Sequence, residues 1–447
     1  MKTFFNIISV FLIISSISGV TIPAGAQSSV DEQIRKVAAS GKVIDIDGKS
    51  ESLQSPDSIY WNLDSVRNRI LNFYYEQFRH SQDPDAPYFM FMSKDASLAM
   101  GIGGCVRMRG YYDWAGAIPA SGFAPYLIPM TPDPANRNAL GTTPSGTSLY
   151  FRVLGRYKHL GNYQLYIEAN FNGYNGRDFH LKKAYAIIND WTIGYAPSTF
   201  ADPAATPPTV DAQGPSNKIS PTSVLLRWMP VVKNKWVFAL SAETPSTAIG
   251  ADNTSTKRVT AWLPDWAAFV QYQWEQGQHV RLSGIVRTLS YRDLLLNKNY
   301  NPVGWGIQLS SVAHPFYAFT TYANISYGHG EASLGGDLQI GNYDLVPEPG
   351  ISGKLYAPAS LGWCVGLQYN FRPNLFMSAS ASMSHYMPKS GASPDEYKNG
   401  LFTDINVFWN LTPRMQVGAE FDLGRRQNIS GETRWARRIG AMAQFSF

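Results

Sequence analysis

Apolar and polar residues alternate through most of this chain, from about residue 88 to the last residue. A period of two marks strands with one apolar and one polar face. It predicts sixteen strands, at 97–113, 147–159, 162–174, 178–189, 191–200, 220–231, 235–245, 262–274, 278–291, 302–312, 315–328, 356–372, 374–388, 398–411, 413–425 and 433–447. A shorter strand-like piece, Tyr88 to Lys94, precedes them. The connections are as informative as the strands. Seven are tight, near Leu160-Gly161, Asp190, Lys233-Asn234, Glu275-Gln276-Gly277, Ala313-His314, Pro373 and Leu411-Thr412. They alternate with eight mostly longer links, at 114–146, 175–177, 201–219, 246–261, 292–301, 329–355, 389–397 and 426–432. Short turns at one end, long loops at the other and an even strand number are the layout of a bacterial transmembrane barrel. The expected fold class is all-β: a 16-stranded antiparallel transmembrane β-barrel over 86–447, preceded by a short N-terminal helix or coiled coil.

Ahead of the barrel the pattern changes. Residues 1–26 read as a signal peptide, with Lys2, an apolar run from Phe4 to Val20 and a small-x-small site at Ala24-Gly25-Ala26. Residues 27–57 are polar and irregular, an expected flexible segment. Over 58–80 the period becomes helical, with Ile59, Leu63, Val66, Ile70, Phe73 and Gln77 at the spacing of a short coiled coil. Ser58 is its N-cap and Asp83-Pro84-Asp85 ends it. Either a self-associating coil or an amphipathic helix lying on the periplasmic end of the barrel fits this pattern.

No later run of about 18 apolar residues could span a bilayer as a helix. A spanning chain without such helices must be a closed barrel, because lipid offers no partner to unpaired backbone groups. The composition agrees, with 13% aromatic residues, only 16% charged ones, 25 tyrosines and 12 tryptophans. Without Lys2 the chain keeps 37 basic against 33 acidic side chains, a net charge of +4. That is too mild to point to nucleic acid. Cys105 and Cys364 fall on well-separated strands, each either a small inward packing residue or half of a disulfide.

Parity assigns the faces. In the last strand Ile439, Ala441, Ala443, Phe445 and Phe447 share one face, and Arg438, Gly440, Met442, Gln444 and Ser446 the other. Trp266, Ala268, Val270, Tyr272 and Trp274 face lipid on the eighth strand, the outer two suiting aromatic girdles. The same parity sends Arg107, Arg109, Arg152, Arg156, Lys158, Lys182, Arg227, Arg281, Arg287, Arg426 and Arg438 inward, against Glu168, Glu243, Asp404, Glu420 and Asp422. A cation in lipid at midplane costs roughly 2–4 kcal/mol, so these belong in the lumen. There they either favour anions over cations or pair with carboxylates and brace the wall. Lys183 resists the scheme: parity sets it on the lipid side with Phe179, Leu181 and Tyr185. Terminal Phe447 looks like the sorting signal that the barrel assembly machinery reads.

Three stretches carry a family resemblance: RVLGRYKHLGNYQLYIEANFNG (152–173), FHLKKAYAIINDWTIGYAPSTFADPAATPPTVDAQGP (179–215) and INVFWNLTPRMQVGAEFDLGRRQNISGETRWARRIGAMAQFSF (405–447). They resemble the DcaP-like outer-membrane channels. The resemblance implies a homotrimer of 16-stranded barrels in the bacterial outer membrane, passing small organic anions such as dicarboxylates. It also implies that the loop after the fifth strand, beginning Ser198-Thr199-Phe200-Ala201-Asp202-Pro203, folds inward; Asp202, Asp211 and Lys218 are its candidate constriction residues. Arg152, Arg287 and Arg426 match lumen arginines of the family by position. The chain departs where Lys182-Lys183 stand for an arginine and Asn170 for an acidic residue.

Function classes follow. The expected one is a porin giving passive diffusion of small anionic solutes, surrounded by outer-membrane lipid, with no cofactor and no metal. An enzyme would need a nucleophile with a base gathered at one height. The seven histidines are scattered, and neither G-x-S-x-G nor H-E-x-x-H occurs. A sugar-type porin would slide its solute along lumen aromatics, and Tyr111, Tyr166 and Phe269 face inward. A barrel closed by its loops is a further class. In it, the Gly-rich loop 329–355, with Asp337, Asp344 and Glu348, is a candidate cation site.

Overall fold

The computed structural model describes residues 98–447, apart from 115, 132, 158–160, 173–176, 233–234, 251–253, 276, 317 and 413, together with the backbones of 42–45 and 89–92. The signal peptide expected at 1–26 and the helix expected at 58–80 lie outside the described residues, as does all of 27–57 except 42–45. Lys42–Asp45, within the segment expected to be irregular, is a short strand parallel to Phe89–Met92.

Sixteen long strands among the described residues form one antiparallel barrel: β1 Leu98–Trp114, β2 Ser148–Tyr157, β3 Gly161–Asn172, β4 Asp178–Ile188, β5 Trp191–Pro197, β6 Thr222–Trp228, β7 Trp236–Glu243 and β8 Asp265–Glu275. The second half holds β9 Gln278–Thr288, β10 Val303–Phe316, β11 Phe319–His329, β12 Ala359–Arg372, β13 Leu375–Met387, β14 Tyr397–Asn410, β15 Met415–Asn428 and β16 Thr433–Ser446. Each pairs with its neighbour in sequence. The barrel closes where β16 meets β1, from Arg437 opposite Trp114 to Ser446 opposite Cys105. Closure leaves no strand edge. Phe447 extends the seam, its N–H and C=O both bonded to Gly104 at 3.0 Å. Phe89–Met92 pairs with the start of β1.

The alternation read from the sequence is the alternation of burial. On β16, Ala436, Arg438, Gly440 and Met442 are buried inward while Ile439, Ala441, Ala443 and Phe445 are exposed outward. The outward face is predominantly apolar, with exposed Trp191, Trp228, Trp236, Trp266 and Trp409 among its aromatics. Such a face suits hydrocarbon, not water. Cys105 and Cys364 are free thiols on separate strands.

One turn moves. The sequence places it at Ala313-His314, but β10 runs on to Phe316, which pairs with Phe319. Pro315, expected to open the next strand, instead lies in β10 past Ala313, where the ladder is already irregular and no N–H is required of it.

Loops fill much of the interior. The link 198–221 between β5 and β6 descends into the lumen, and segments of 115–147 and 330–358 fold over it. A short helix, α1 Gly336–Gly341, lies in the last of these with Asp337 and Leu338 buried. Small inward residues on β12 and β13 make room for the descending loop. A methyl group at Gly366 would come within 2.6 Å of Pro207 Cβ.

Candidate functional site: a cation-lined cavity

The descending loop is held at several points along its length. Asp202 meets His279 Nε2 at 2.8 Å and accepts the Ser310 hydroxyl at 2.6 Å, while Arg281 Nη1 donates to Ala201 O at 3.0 Å. Burial pushes the Asp202 carboxyl up, but Arg281, His279 and Ser310 outweigh it and hold it well below the usual carboxylate range. Farther on, Ser378 Oγ donates to Pro208 O at 2.9 Å and Ser384 Oγ to Ser216 O at 2.7 Å; Ser382 Oγ accepts the Ser216 N–H at 2.8 Å. At its middle the N–H groups of Val210 and Asp211 both donate to Glu420, each at 2.6 Å. Charge-assisted bonds of this kind are about twice as strong as neutral ones.

The loop divides the lumen. On one side it packs against β10–β16. On the other it leaves a cavity of about 750 Å³, none of whose lining residues belongs to β10–β16. The cavity reaches from Asn172 and Ser145 at the loop end to Met229 and Arg281 near the turn end. Seven cationic side chains line it: Arg107, Arg109, Lys182, Lys183, Lys218, Arg227 and Arg281. Only two carboxylates do, Asp202 and Asp211.

A β-bulge supplies two of the cations. Glu168 pairs with Lys183 but Ala169 with Leu181, so Lys182 is an extra residue on β4. Such an insertion shifts side-chain parity by one. Lys183 and Tyr185 therefore face inward, correcting the lipid-side assignment made by strict alternation. Phe179 and Leu181, beyond the bulge, keep their outward positions. Lys182 Nζ lies 2.7 Å from Glu168 Oε1 and Lys183 Nζ 3.7 Å from Glu168 Oε2. One carboxylate thus faces two ammonium groups, and the Lys182 side chain remains 46% exposed to the cavity. Opposite, Lys218 Nζ donates to Ala212 O at 2.9 Å. Burial lowers its pKa; Asp211 raises it, and Lys182, Arg107 and Arg109 lower it further.

The other inward residues read from the sequence sit elsewhere. Arg287 is fully buried, 3.2 Å from Asp265 and 3.1 Å from Asp344 of the loop 330–358. Arg438 pairs with Asp113 at 2.6 Å and stacks on Tyr111. Arg426 donates to Tyr126 O at 2.6 Å, holding the loop 115–147. Arg152 is buried beneath the cavity wall, 4.8 Å from the Tyr166 ring. Glu168 and Glu420 serve as partners to lysines and loop N–H groups rather than as lining. The Arg156 side chain and Lys158 lie outside the described residues. Of the three aromatics read as inward, Phe269 lines the cavity and Tyr111 and Tyr166 do not; Tyr185, turned inward by the bulge, lines it too.

The loop carboxylates do not gather as a cation site. Asp344 accepts the N–H groups of Ala248 and Ser333 besides Arg287, Asp337 accepts the Tyr397 hydroxyl, and Glu348 pairs with Lys389. Among the described residues no group of three His, Cys, Asp or Glu side chains could hold a metal ion.

No family model and no curated protein matches the chain at a meaningful level. Solved structures do. The outer membrane channel DcaP of Acinetobacter baumannii superposes with a TM-score of 0.69 at 19% identity, covering 80% of this chain and 99% of that one. The fold is that of the DcaP-like outer-membrane porins. An anion-selective porin from Comamonas acidovorans follows with a TM-score of 0.54 at 9% identity, over 78% of this chain and all of its own. Within this DcaP-like barrel, sequence reasoning missed Lys183 and Tyr185, because a bulge leaves no mark in an alternation count. It also missed the serine row of β13, whose spacing at 378, 380, 382 and 384 was there to be read.

Proposed function

We propose that this chain is an outer-membrane porin through which small anions, dicarboxylates among them, diffuse passively along the cation-lined cavity. The observation that carries the proposal is the seven-to-two excess of cationic over acidic side chains around one elongated cavity. Fixed charge in a narrow lumen raises the local concentration of the opposite ion and excludes its own sign. Lys182 and Lys183 from the wall face Lys218 from the loop, so a solute with two carboxylates could engage both sides at once. The expectation that Arg152, Arg287 and Arg426 set selectivity gives way to the lysines, because those arginines are buried at the wall or occupied by loop groups. Three such chains would associate as the homotrimer that the resemblance implies, delivered by the barrel assembly machinery through the Phe447 signal.

The test is the reversal potential of the refolded protein in a planar bilayer under a tenfold KCl gradient, repeated with succinate. Anion selectivity with a succinate block is expected. Cation selectivity, or currents indifferent to succinate, would discard the anion or dicarboxylate reading respectively.

A further inference from the structure

The cations of the cavity are not spread evenly along it. Arg227 and Arg281 stand toward the turn end, whereas Arg107 and Arg109 of β1, Lys182 and Lys183 of β4 and Lys218 of the loop converge. Asp211, Lys182, Arg107 and Arg109 are all among the charges that act on Lys218. The carboxylates near these five cations are already engaged. Glu168 meets both lysines of β4, Asp211 lies 3.6 Å from Arg109 and 3.5 Å from Arg438, and Glu420 holds two loop N–H groups. Positive charge is therefore left over at one place.

The donors that carry this surplus differ in kind. The guanidinium groups are turned to the loop, where Arg107 Nη2 donates to Val210 O at 2.9 Å and Arg109 Nη1 to the same oxygen at 3.4 Å. A guanidinium fork fits a flat carboxylate in two parallel bonds, and here the forks are taken up. The ammonium groups of Lys182 and Lys218 have three N–H donors each, and they bond Glu168 Oε1 and Ala212 O, one oxygen apiece. Lysine binds phosphate as a point charge. A phosphate monoester brings close to two charges and three acceptor oxygens in one compact group. A diacid must divide the same charge between two separate ends.

The rest of the wall is made of hydroxyls and amides. Ten Ser, Thr, Asn and Gln side chains line the cavity, Asn170, Asn172, Thr206 and Gln213 among them, against two aromatic ones, Tyr185 and Phe269. A methylene chain gives such groups nothing to bond, whereas the hydroxyls of a solute replace the water on them. The volume of about 750 Å³ also exceeds what a four-carbon diacid fills.

We infer that the solutes this cavity favours are phosphate monoesters of polyhydroxylated bodies, sugar phosphates as a class, with the phosphate among Lys182, Lys183 and Lys218 and the hydroxyls along the Ser, Thr, Asn and Gln wall. The inference rests on the reading of the cavity as an anion pathway and narrows it to one group chemistry.

The test uses the full refolded chain in a planar bilayer at about pH 8, where a phosphate monoester is a dianion. The readout is the concentration of added solute that halves the KCl current. Glucose 6-phosphate should reach that point at a concentration at least about tenfold below succinate or glucuronate, because all its charge meets one cluster of donors. In K182Q/K183Q/K218Q that advantage should vanish, and in the single variant K218Q it should shrink several-fold. Succinate or glucuronate acting at the same concentration as glucose 6-phosphate in the wild type would overturn the choice of phosphate. So would an advantage that survives both variants. Inorganic phosphate acting as well as glucose 6-phosphate would overturn the hydroxylated body. The reversal potential of the same membranes keeps the two readings apart: anion selectivity with any of these failures sinks this inference alone, and cation selectivity sinks both.

Discussion

The two sides of the lumen behave differently. Along much of β1–β9 inward cations face an open cavity, whereas along β10–β16, and at Arg287 near the loop end of β9, the inward side chains are covered by loops. Arg227 and Arg287 make the contrast plain. Both point inward by parity. Arg227 borders the cavity and donates to Pro197 O at 3.3 Å, while Arg287 is sealed between Asp265 and Asp344. An inward arginine on a barrel strand thus has no fixed role. It becomes lining or brace according to how far the loops cover it: Arg109 and Arg281 still border the cavity although Asp211 and Asp202 of the loop lie 3.6 Å away.

Four changes would break or sharpen this contrast. The largest effect belongs to the braced side: Arg287→Ala strands Asp265 and Asp344 and should cost about 3–5 kcal/mol. The temperature at which the folded band disappears in heat-modifiability gels should fall clearly, with ion selectivity unchanged. A selectivity shift without loss of stability would put Arg287 at the cavity. Next, Glu420→Ala removes the acceptor of two loop N–H groups and should free the loop to move, raising single-channel conductance several-fold. Unaltered conductance would mean that the remaining anchors, Asp202 and the serine row among them, suffice to hold the loop.

On the open side, the triple variant K182Q/K183Q/K218Q should lower the anion-to-cation permeability ratio several-fold; it leaves buried Glu168 with the Tyr166 hydroxyl in place of two ammonium groups, so some loss of stability accompanies it. Selectivity equal to the wild type would move the filter elsewhere. The smallest effect is a pH dependence. The Lys218 pKa is lowered, so its charge is lost on raising the pH before that of an ordinary lysine. Anion preference should therefore decline on the alkaline side at a lower pH than in Lys218→Arg. Identical profiles for the two proteins would show that Lys218 does not titrate in the pathway.

What the sequence by itself determined is the barrel. Period-two alternation fixes which side chains face out, and the alternation of tight turns with long loops fixes the count of strands and the two ends. All sixteen expected strands overlap those of the structure, and the outward faces of β8 and β16 are as read. These are local properties: each strand carries its own pattern, and hairpin pairing needs no distant information. Tertiary structure decided the site. The bulge at Lys182 is a pairing event between β3 and β4 that composition does not encode. The course of the loop 198–221 depends on Glu420, Ser378 and Ser384, some 170 to 210 residues away in the chain. Alternation could say only that a charge points inward. Whether it meets water or a carboxylate was settled where the loops came to rest.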